Sequence, residues 1–343
     1  ENPEQAFLLA SGSQSKENDR FGKYEFPLTE PSLWEKLPSF ITLILFVGSF
    51  ASFPLSLYYL IFGGYLIRSI IGLTLTYQFF LARKSQLLID IIVNMKPFNY
   101  FRSYGYFIDN KHLLAGEVVN DKEKKNTNTL SETKSLMGFH PHGVISIGVL
   151  LLKITNKIIQ KSNVLGSRVI LSLPITGLIC RLMGIDSVSH SSFKSKMEND
   201  ENICFVPGGF EEATITDYSK EKVYIKNRKG FIKYALQFGY KVHPAYVFNE
   251  NRLFYTFNIM EKIRLLLNKI KIPGVLFYGV TYGLPNYNTK LITVISAGIN
   301  FPQIENPSNE VIDEYHDIYL KELIYVFEKY KGLFGVNNKL EIY

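Results

Sequence analysis

A chain of 343 residues with 46% hydrophobic and 14% aromatic residues has material for a sizeable core and is not globally disordered. Its net charge of +7 fits an anionic membrane face or a phosphate-rich ligand; no basic block is long or aromatic-interleaved enough for a nucleic-acid surface. Two cysteines, Cys180 and Cys204, with no close pair and no histidine cluster, give no reason to expect a zinc site.

Residues 1–37 are polar and mixed in charge, and they do not resemble a signal peptide. Phe40–Ala82 is almost wholly apolar, broken by Pro54, Gly63-Gly64 and Arg68. Ile41–Ile61 alone is long enough to cross a hydrocarbon core of about 30 Å at ~1.5 Å per residue. Two arrangements follow for residues 38–96. One is a membrane hairpin turning near Gly63-Gly64, with Arg68 reaching an interface; the other is one span followed by an interfacial helix to about Met95. Lys36 before the stretch and Arg83-Lys84 after it favour a hairpin with both ends on the cytosolic side.

Residues 97–343 form the main domain, with a charged loop insertion over 116–135. From Leu136 the pattern alternates. Strands are expected at Leu136–Phe139, Val169–Leu173, Asn202–Val206, Lys241–Phe248, Leu253–Phe257 and Leu291–Ser296. Helices are expected at Gly143–Ile159, at Ile175–Met183 stopping on Gly184, and at Arg228–Phe238 capped by Gly239. A long amphipathic helix, Asn309–Tyr330, has Ser308 as its N-cap. Strands alternating with helices imply an α/β fold with a mostly parallel sheet flanked by helices.

Three motifs carry chemistry. Phe139-His140-Pro141-His142-Gly143 sits between a strand and a helix, where two histidines stand near helix N–H donors. Spacing alone also allows a metal pair or plain loop residues. Val206-Pro207-Gly208-Gly209-Phe210-Glu211-Glu212 repeats the strand–glycine–helix arrangement and supplies a carboxylate able to orient an imidazole; acids at a helix N-terminus also occur for dipole reasons alone. Lys226-Asn227-Arg228-Lys229-Gly230 is a basic cluster opening a helix, suited to phosphates or simply to solvent. Among the remaining histidines, His112 reads as a loop residue, His190 as a substrate-contact candidate, His243 as a possible wall of the site, and His316 as structural. Cys204 lies in an apparent buried strand, where an inert thiol is the default.

These blocks, in this order, resemble the diacylglycerol acyltransferase type 2 family, which includes monoacylglycerol and wax-alcohol acyltransferases. The resemblance runs from near Pro97 to the C-terminus. It rests on His140-Pro141-His142-Gly143, Leu173-Pro174, Pro207-Gly208-Gly209 with Glu212, Asn227-Arg228-Lys229-Gly230-Phe231, His243-Pro244, and Glu305-Asn306-Pro307-Ser308 before Tyr315-His316. Three blocks depart from the family pattern. The proline of the upstream Tyr-Phe-Pro triplet is missing from Asn99-Tyr100-Phe101-Arg102, the family's Gly-Glu is Asn249-Glu250, and a late Gly-Lys-Pro-like turn is Ala297-Gly298-Ile299.

The resemblance implies an integral protein of the endoplasmic reticulum or lipid droplet, with an organellar (mitochondrial) membrane left open. It implies long-chain acyl-CoA as donor and a neutral lipid acceptor; acyl-CoA enters as substrate, and no cofactor and no metal are expected. The paired-histidine motif is then the catalytic centre. His142 is the expected base and Glu212 its orienting acid; His140 holds the loop or shares the role. Gly143, Gly208 and Gly209 are expected near the oxyanion, and Arg228 and Lys229 at the phosphates of coenzyme A. The alternative is a catalytically idle acyltransferase-like subunit of a larger membrane assembly.

Overall fold

The computed structural model describes residues 48–87, 89–90, 108–114 and 134–343, the last apart from 156, 271, 273, 280–284, 287, 288 and 297. The expectations for residues 1–37, for Asn99–Arg102, for the interfacial helix near Met95 and for most of the charged insertion fall outside these residues.

The chain folds around a mostly parallel sheet. Its strands are β1 (Ile108–Leu114), β2 (Ser135–His140), β3 (Asn163–Gly166), β4 (Ile185–Ser187), β5 (Ile203–Phe205), β7 (Lys241–Phe248), β10 (Thr289–Ile295) and β11 (Ile299–Asn300). Short ribbons pair β6 (Glu221–Val223) with β12 (Leu340–Ile342), and β8 (Tyr255–Thr256) with β9 (Phe277–Tyr278). The main order is β1-β10-β7-β2-β5-β3-β4, with β11 on β7. Strands β7, β2, β5, β3 and β4 run parallel; β10 is antiparallel to β7.

Period-two alternation sorts side chains onto two cores. Met137, Phe139, Cys204, Ala245 and Val247 face one cluster; Leu136, Ile203, Phe205, Val242 and Tyr246 face the other. His140, in phase with Leu136, therefore points to the second face.

Helices α1 (Ser52–Phe62) and α2 (Tyr65–Thr76) meet at Gly63-Gly64, where the sequence places a turn. Of α1 only Ser52 is buried, and of α2 nothing. Among the described residues no helix is long and apolar enough to cross a membrane. Of the expected span over Ile41–Ile61, residues 41–47 lie outside the described residues; the rest holds helical Gly48-Ser49, a turn at Phe50-Ala51 and α1. The Arg68 guanidinium donates to the Ile61 carbonyl at 2.7 Å and closes the end of α1.

The remaining helices are α3 (Ile147–Thr155), α4 (Lys157–Lys161), α5 (Arg168–Ser172), α6 (Thr176–Leu182), α7 (His190–Glu198), α8 (Gly209–Ile215), α9 (Gly230–Phe238), α10 (Glu261–Lys269) and α11 (Asn309–Tyr330). Val169–Leu173 is not a strand: Ser167 accepts a bond from the Val169 N–H and caps α5, overriding the β-branched residues. The helix expected from Gly143 begins only at Ile147, because Gly143 and Ser146 both hold positive φ. Ser135, given to the charged insertion, is the first residue of β2 and is buried. His112 lies in β1 opposite Thr293, not in a loop.

Candidate active site

Parallel pairing of β2 with β5 sets the carboxyl ends of both strands side by side, which is where ligands bind in open α/β sheets. The His-Pro-His-Gly turn leaves β2 there, and the Pro-Gly-Gly turn leaves β5 and opens α8.

Glu212, on α8, is fully buried and is the hub of the site. Its oxygens both lie 3.2 Å from His140 Nδ1. They also accept the His142 main-chain N–H at 2.7 Å and the Tyr224 N–H at 2.9 Å. Gly208 makes this possible, since a Cβ there would collide with the Glu212 carboxylate. The expected pairing is corrected here: the carboxylate meets the ring of His140, and it meets His142 only through the main chain. The physical reason is that alternation turns the His140 ring to the sheet face that carries Tyr319, whereas His142 lies past the end of β2, in the turn.

On its other side His140 Nε2 lies 3.0 Å from the hydroxyl of Tyr319, on α11. Tyr319 reaches it because Gly138 has no side chain; a Cβ would strike the phenol oxygen. The peptide bond between His140 and Pro141 is cis.

The His142 ring is only partly exposed and forms part of a cavity wall. Its Nδ1 lies 3.0 Å from the Gly143 carbonyl. A carbonyl can only accept, so Nδ1 carries the proton and Nε2 keeps its lone pair. Burial pushes this imidazole below its ordinary range, outweighing the upward pulls of the Gly143 carbonyl and the Glu212 charge. The ring is therefore neutral at neutral pH.

The cavity has a volume of about 660 Å³, within the ordinary range for ligand sites. Its wall includes Ser146, Gly209, Arg228 and Gly230 and is otherwise mostly apolar, with Leu150, Ile170, Cys180 and Ile185. Phe50, just before α1, also lines it. This apolar arm is fastened to the domain by polar contacts: Ser49 Oγ lies 2.8 Å from Thr176 Oγ1, and Gln78 donates to the carbonyls of Leu171 and Leu173, each at 3.0 Å.

The other predicted residues divide. Arg228 lines the cavity, paired with Glu211 and lying over the Tyr224 ring. Lys229 does not line it and is tied to Asp313 at 2.7 Å. Gly209 lines the cavity, whereas Gly208 and Gly143 pack beneath Glu212 and Glu250. His190 lines the cavity. His243 does not; it is buried, donates to the Ser296 carbonyl at 3.0 Å, and is pushed down to about 4 by burial. His316 is buried and bonded to the Ile225 carbonyl.

Two partners escaped the sequence reading. Tyr319 is one tyrosine among several on an amphipathic helix, although Gly138 inside an apolar strand was a sign of close approach. Glu250 accepts the N–H groups of Ile147 and Gly148, both at 2.8 Å, and so caps α3 from another strand's end. Asn249 stands at the position of the family's glycine with φ 68°, a conformation that Asn tolerates better than most residues.

The sequence pattern of the family described as diacylglycerol acyltransferase matches residues 60–343, beginning well upstream of Pro97. Diacylglycerol O-acyltransferase 2 of Dictyostelium discoideum is 30% identical over 227 residues, covering 60% of this chain and 69% of that protein. The Homo sapiens protein of the same name is 29% identical, covering 62% and 60%. Acyl-CoA wax alcohol acyltransferase 1 of Mus musculus is also 29% identical, covering 62% and 71%. Among solved structures, the 1-acyl-sn-glycerophosphate acyltransferase of Thermotoga maritima aligns with a TM-score of 0.42 at 14% identity, over 84% of this chain and 97% of that one. The sequence relatives make the chain an acyltransferase. It belongs to the diacylglycerol acyltransferase family.

Proposed function

We propose that the chain moves a fatty acyl group from acyl-coenzyme A to the hydroxyl of diacylglycerol or a related neutral lipid. The observation that carries this is the Nε2 lone pair of His142 on the wall of an apolar cavity, its tautomer set by the Gly143 carbonyl. The names of the relatives, which act on diacylglycerol and wax alcohols, support the acceptor class.

His142 Nε2 takes the proton of the acceptor hydroxyl as its oxygen attacks the thioester carbonyl. The oxyanion that forms is stabilised by main-chain N–H groups in the first turn of α8 at Gly209, beside the cavity. The C–S bond then breaks, and the thiolate of coenzyme A leaves with the proton held by His142. Arg228 exchanges Glu211 for a phosphate of coenzyme A. Glu212, His140 and Tyr319 do not touch the reacting atoms; they fix the turn that carries His142. The setting is a membrane of the endoplasmic reticulum or a lipid droplet, with the catalytic domain on the cytosolic side, supported by the exposed apolar surfaces of α1 and α2.

The test is to offer purified protein labelled acyl-CoA with diacylglycerol, monoacylglycerol and a long-chain alcohol, and to identify the ester formed. Labelled ester with any of these supports the reading; hydrolysis to free acid alone, with no ester, ends it.

A further inference from the structure

Helix α10 is built with its polar side inward. Arg264 and Asn268, one turn apart, are its buried residues, 4% and 7% exposed. Arg264 donates to the carbonyls of Thr214, Ile259 and Gly274, and Asn268 to Phe210 and Thr214, so both are tied to α8 and its surroundings. The apolar side chains point the other way. Ile263, Leu266 and Ile270 are 54%, 58% and 65% exposed, and Ile259 and Met260 just before the helix are 59% and 62% exposed. A helix on a water-facing surface buries its apolar stripe and shows its polar one; α10 does the reverse.

We infer that the outward face of α10 is a second membrane-docking surface, lying in the interface of a bilayer, on a helix that borders the cavity. It deepens the reading above and rests on it for the presence of a membrane. Three observations choose a bilayer as the occupant. Lys262 and Lys269 are exposed on the same helix, which suits an apolar face inserted among anionic headgroups. Asn268 of α10 and Phe50 beside the apolar hairpin line the same cavity, so both apolar elements border it. The inward anchors of α10 are main-chain carbonyls and polar side chains of the catalytic domain, so the helix is held in place before any partner arrives. A neutral lipid then reaches His142 from the bilayer between two inserted elements, without crossing water.

The test uses the full chain in vesicles of phosphatidylcholine and phosphatidylserine. Leu266→Cys carries a nitroxide; Cys180 and Cys204 are buried, so the new thiol takes the label. Ile263→Cys is the second position on the same face. Lys321→Cys on the exposed side of α11 gives the aqueous reference, and Tyr65→Cys at the hairpin turn reports the hairpin. The ratio of oxygen to nickel-chelate collision rates at 266 and 263 is expected to be several-fold above that at 321. A ratio equal to that at 321 overturns the docking surface. If position 65 is immersed in that case, the membrane reading stands; if 65 is also in water, that reading falls as well. Low collision rates with both reagents at 266 mean that protein, a second copy or another part of this chain, covers the face, and this too overturns the inference.

Discussion

Glu212 holds His142 by its main-chain N–H, 2.7 Å from the carboxylate, and leaves the ring of that histidine to the Gly143 carbonyl. The acid therefore acts on the position of the imidazole and not on its proton. All three bonding partners of Glu212 nearest the turn (His142 N–H, Tyr224 N–H and His140 Nδ1) are placed as donors. Glu212→Gln brings an amide NH₂ against one of them, and the resulting buried mismatch costs about 1–3 kcal/mol. Denaturant unfolding should show that loss, and turnover should fall with it because the turn carrying His142 is no longer fixed. Wild-type stability and turnover in Glu212→Gln would remove the hub role.

His142 and His140 separate by readout. His142 is partly exposed, and its ring bonds only the adjacent Gly143 carbonyl, so His142→Ala should leave stability nearly unchanged while turnover falls by about 10²–10⁴-fold. His140 is fully buried between Glu212 and Tyr319, so His140→Ala should lower stability first, with activity following the folded fraction. The pH profile carries a sign. A base must be deprotonated, and burial lowers the His142 pKa, so the acid limb of the rate should lie below the ordinary imidazole range. A limb at or above 6.5 that vanishes in no His142 variant would contradict the assignment.

Gly138 and Tyr319 are a steric pair. A methyl group at 138 would enter the space of the phenol hydroxyl, which is fully buried and cannot swing aside. Gly138→Ala should therefore destabilise the protein and displace Tyr319 from His140. In a Tyr319→Phe background the same change should cost less, because the colliding oxygen is gone. Equal costs in the two backgrounds would mean that the strain at 138 arises elsewhere, for example at Pro207.

The sheet strands with strong alternation were legible: Lys241–Phe248 and the long helix Asn309–Tyr330 were read with the bounds they have. Composition also placed the turn at Gly63-Gly64. At Val169–Leu173 local propensity favoured a strand, but a serine cap and the following Pro174 decided the outcome. At α10 the apolar pattern was not read as a helix at all, since its apolar stripe does not serve the core. The site motifs were visible, yet the pairing of Glu212 with His140 depends on where β2 ends, at His140 and short of His142, and that follows only from the register of β2 against β5 and β7.

Thiol chemistry supplies a negative test. Cys204 is fully buried with its pKa pushed up to about 12, and its Sγ lies 3.9 Å from Met137 Sδ, away from the cavity wall. Cys180 lines the cavity, but burial holds it at about 11. Neither is a thiolate at neutral pH, so neither is ready to carry an acyl group. Cys204→Ala and Cys180→Ser should each form ester within a few-fold of the wild-type rate. Loss of activity in Cys204→Ala without loss of stability would revive a covalent route.

Glu250 gives a pH dependence of stability. It is buried, caps α3 through the Ile147 and Gly148 N–H groups, and packs against Gly143, where a Cβ would stand 2.6 Å from its Cγ. Burial raises its pKa from 4.5 to about 8, outweighing those two bonds, which pull it down. Between 4.5 and about 8 the folded state keeps a proton that the unfolded state has lost, so ν_U − ν_N is negative and stability falls as pH rises. The contribution is fully present below 4.5 and is gone once pH passes about 8. Glu250→Gln has no such proton, so the stability of wild type minus that of the variant should fall steadily from pH 5 towards pH 8, by roughly 1–4 kcal/mol. Urea unfolding at four pH values reads it directly. A signed difference that stays constant or rises with pH would mean that the two N–H bonds outweigh burial and that Glu250 is ionised throughout, capping α3 as a full charge.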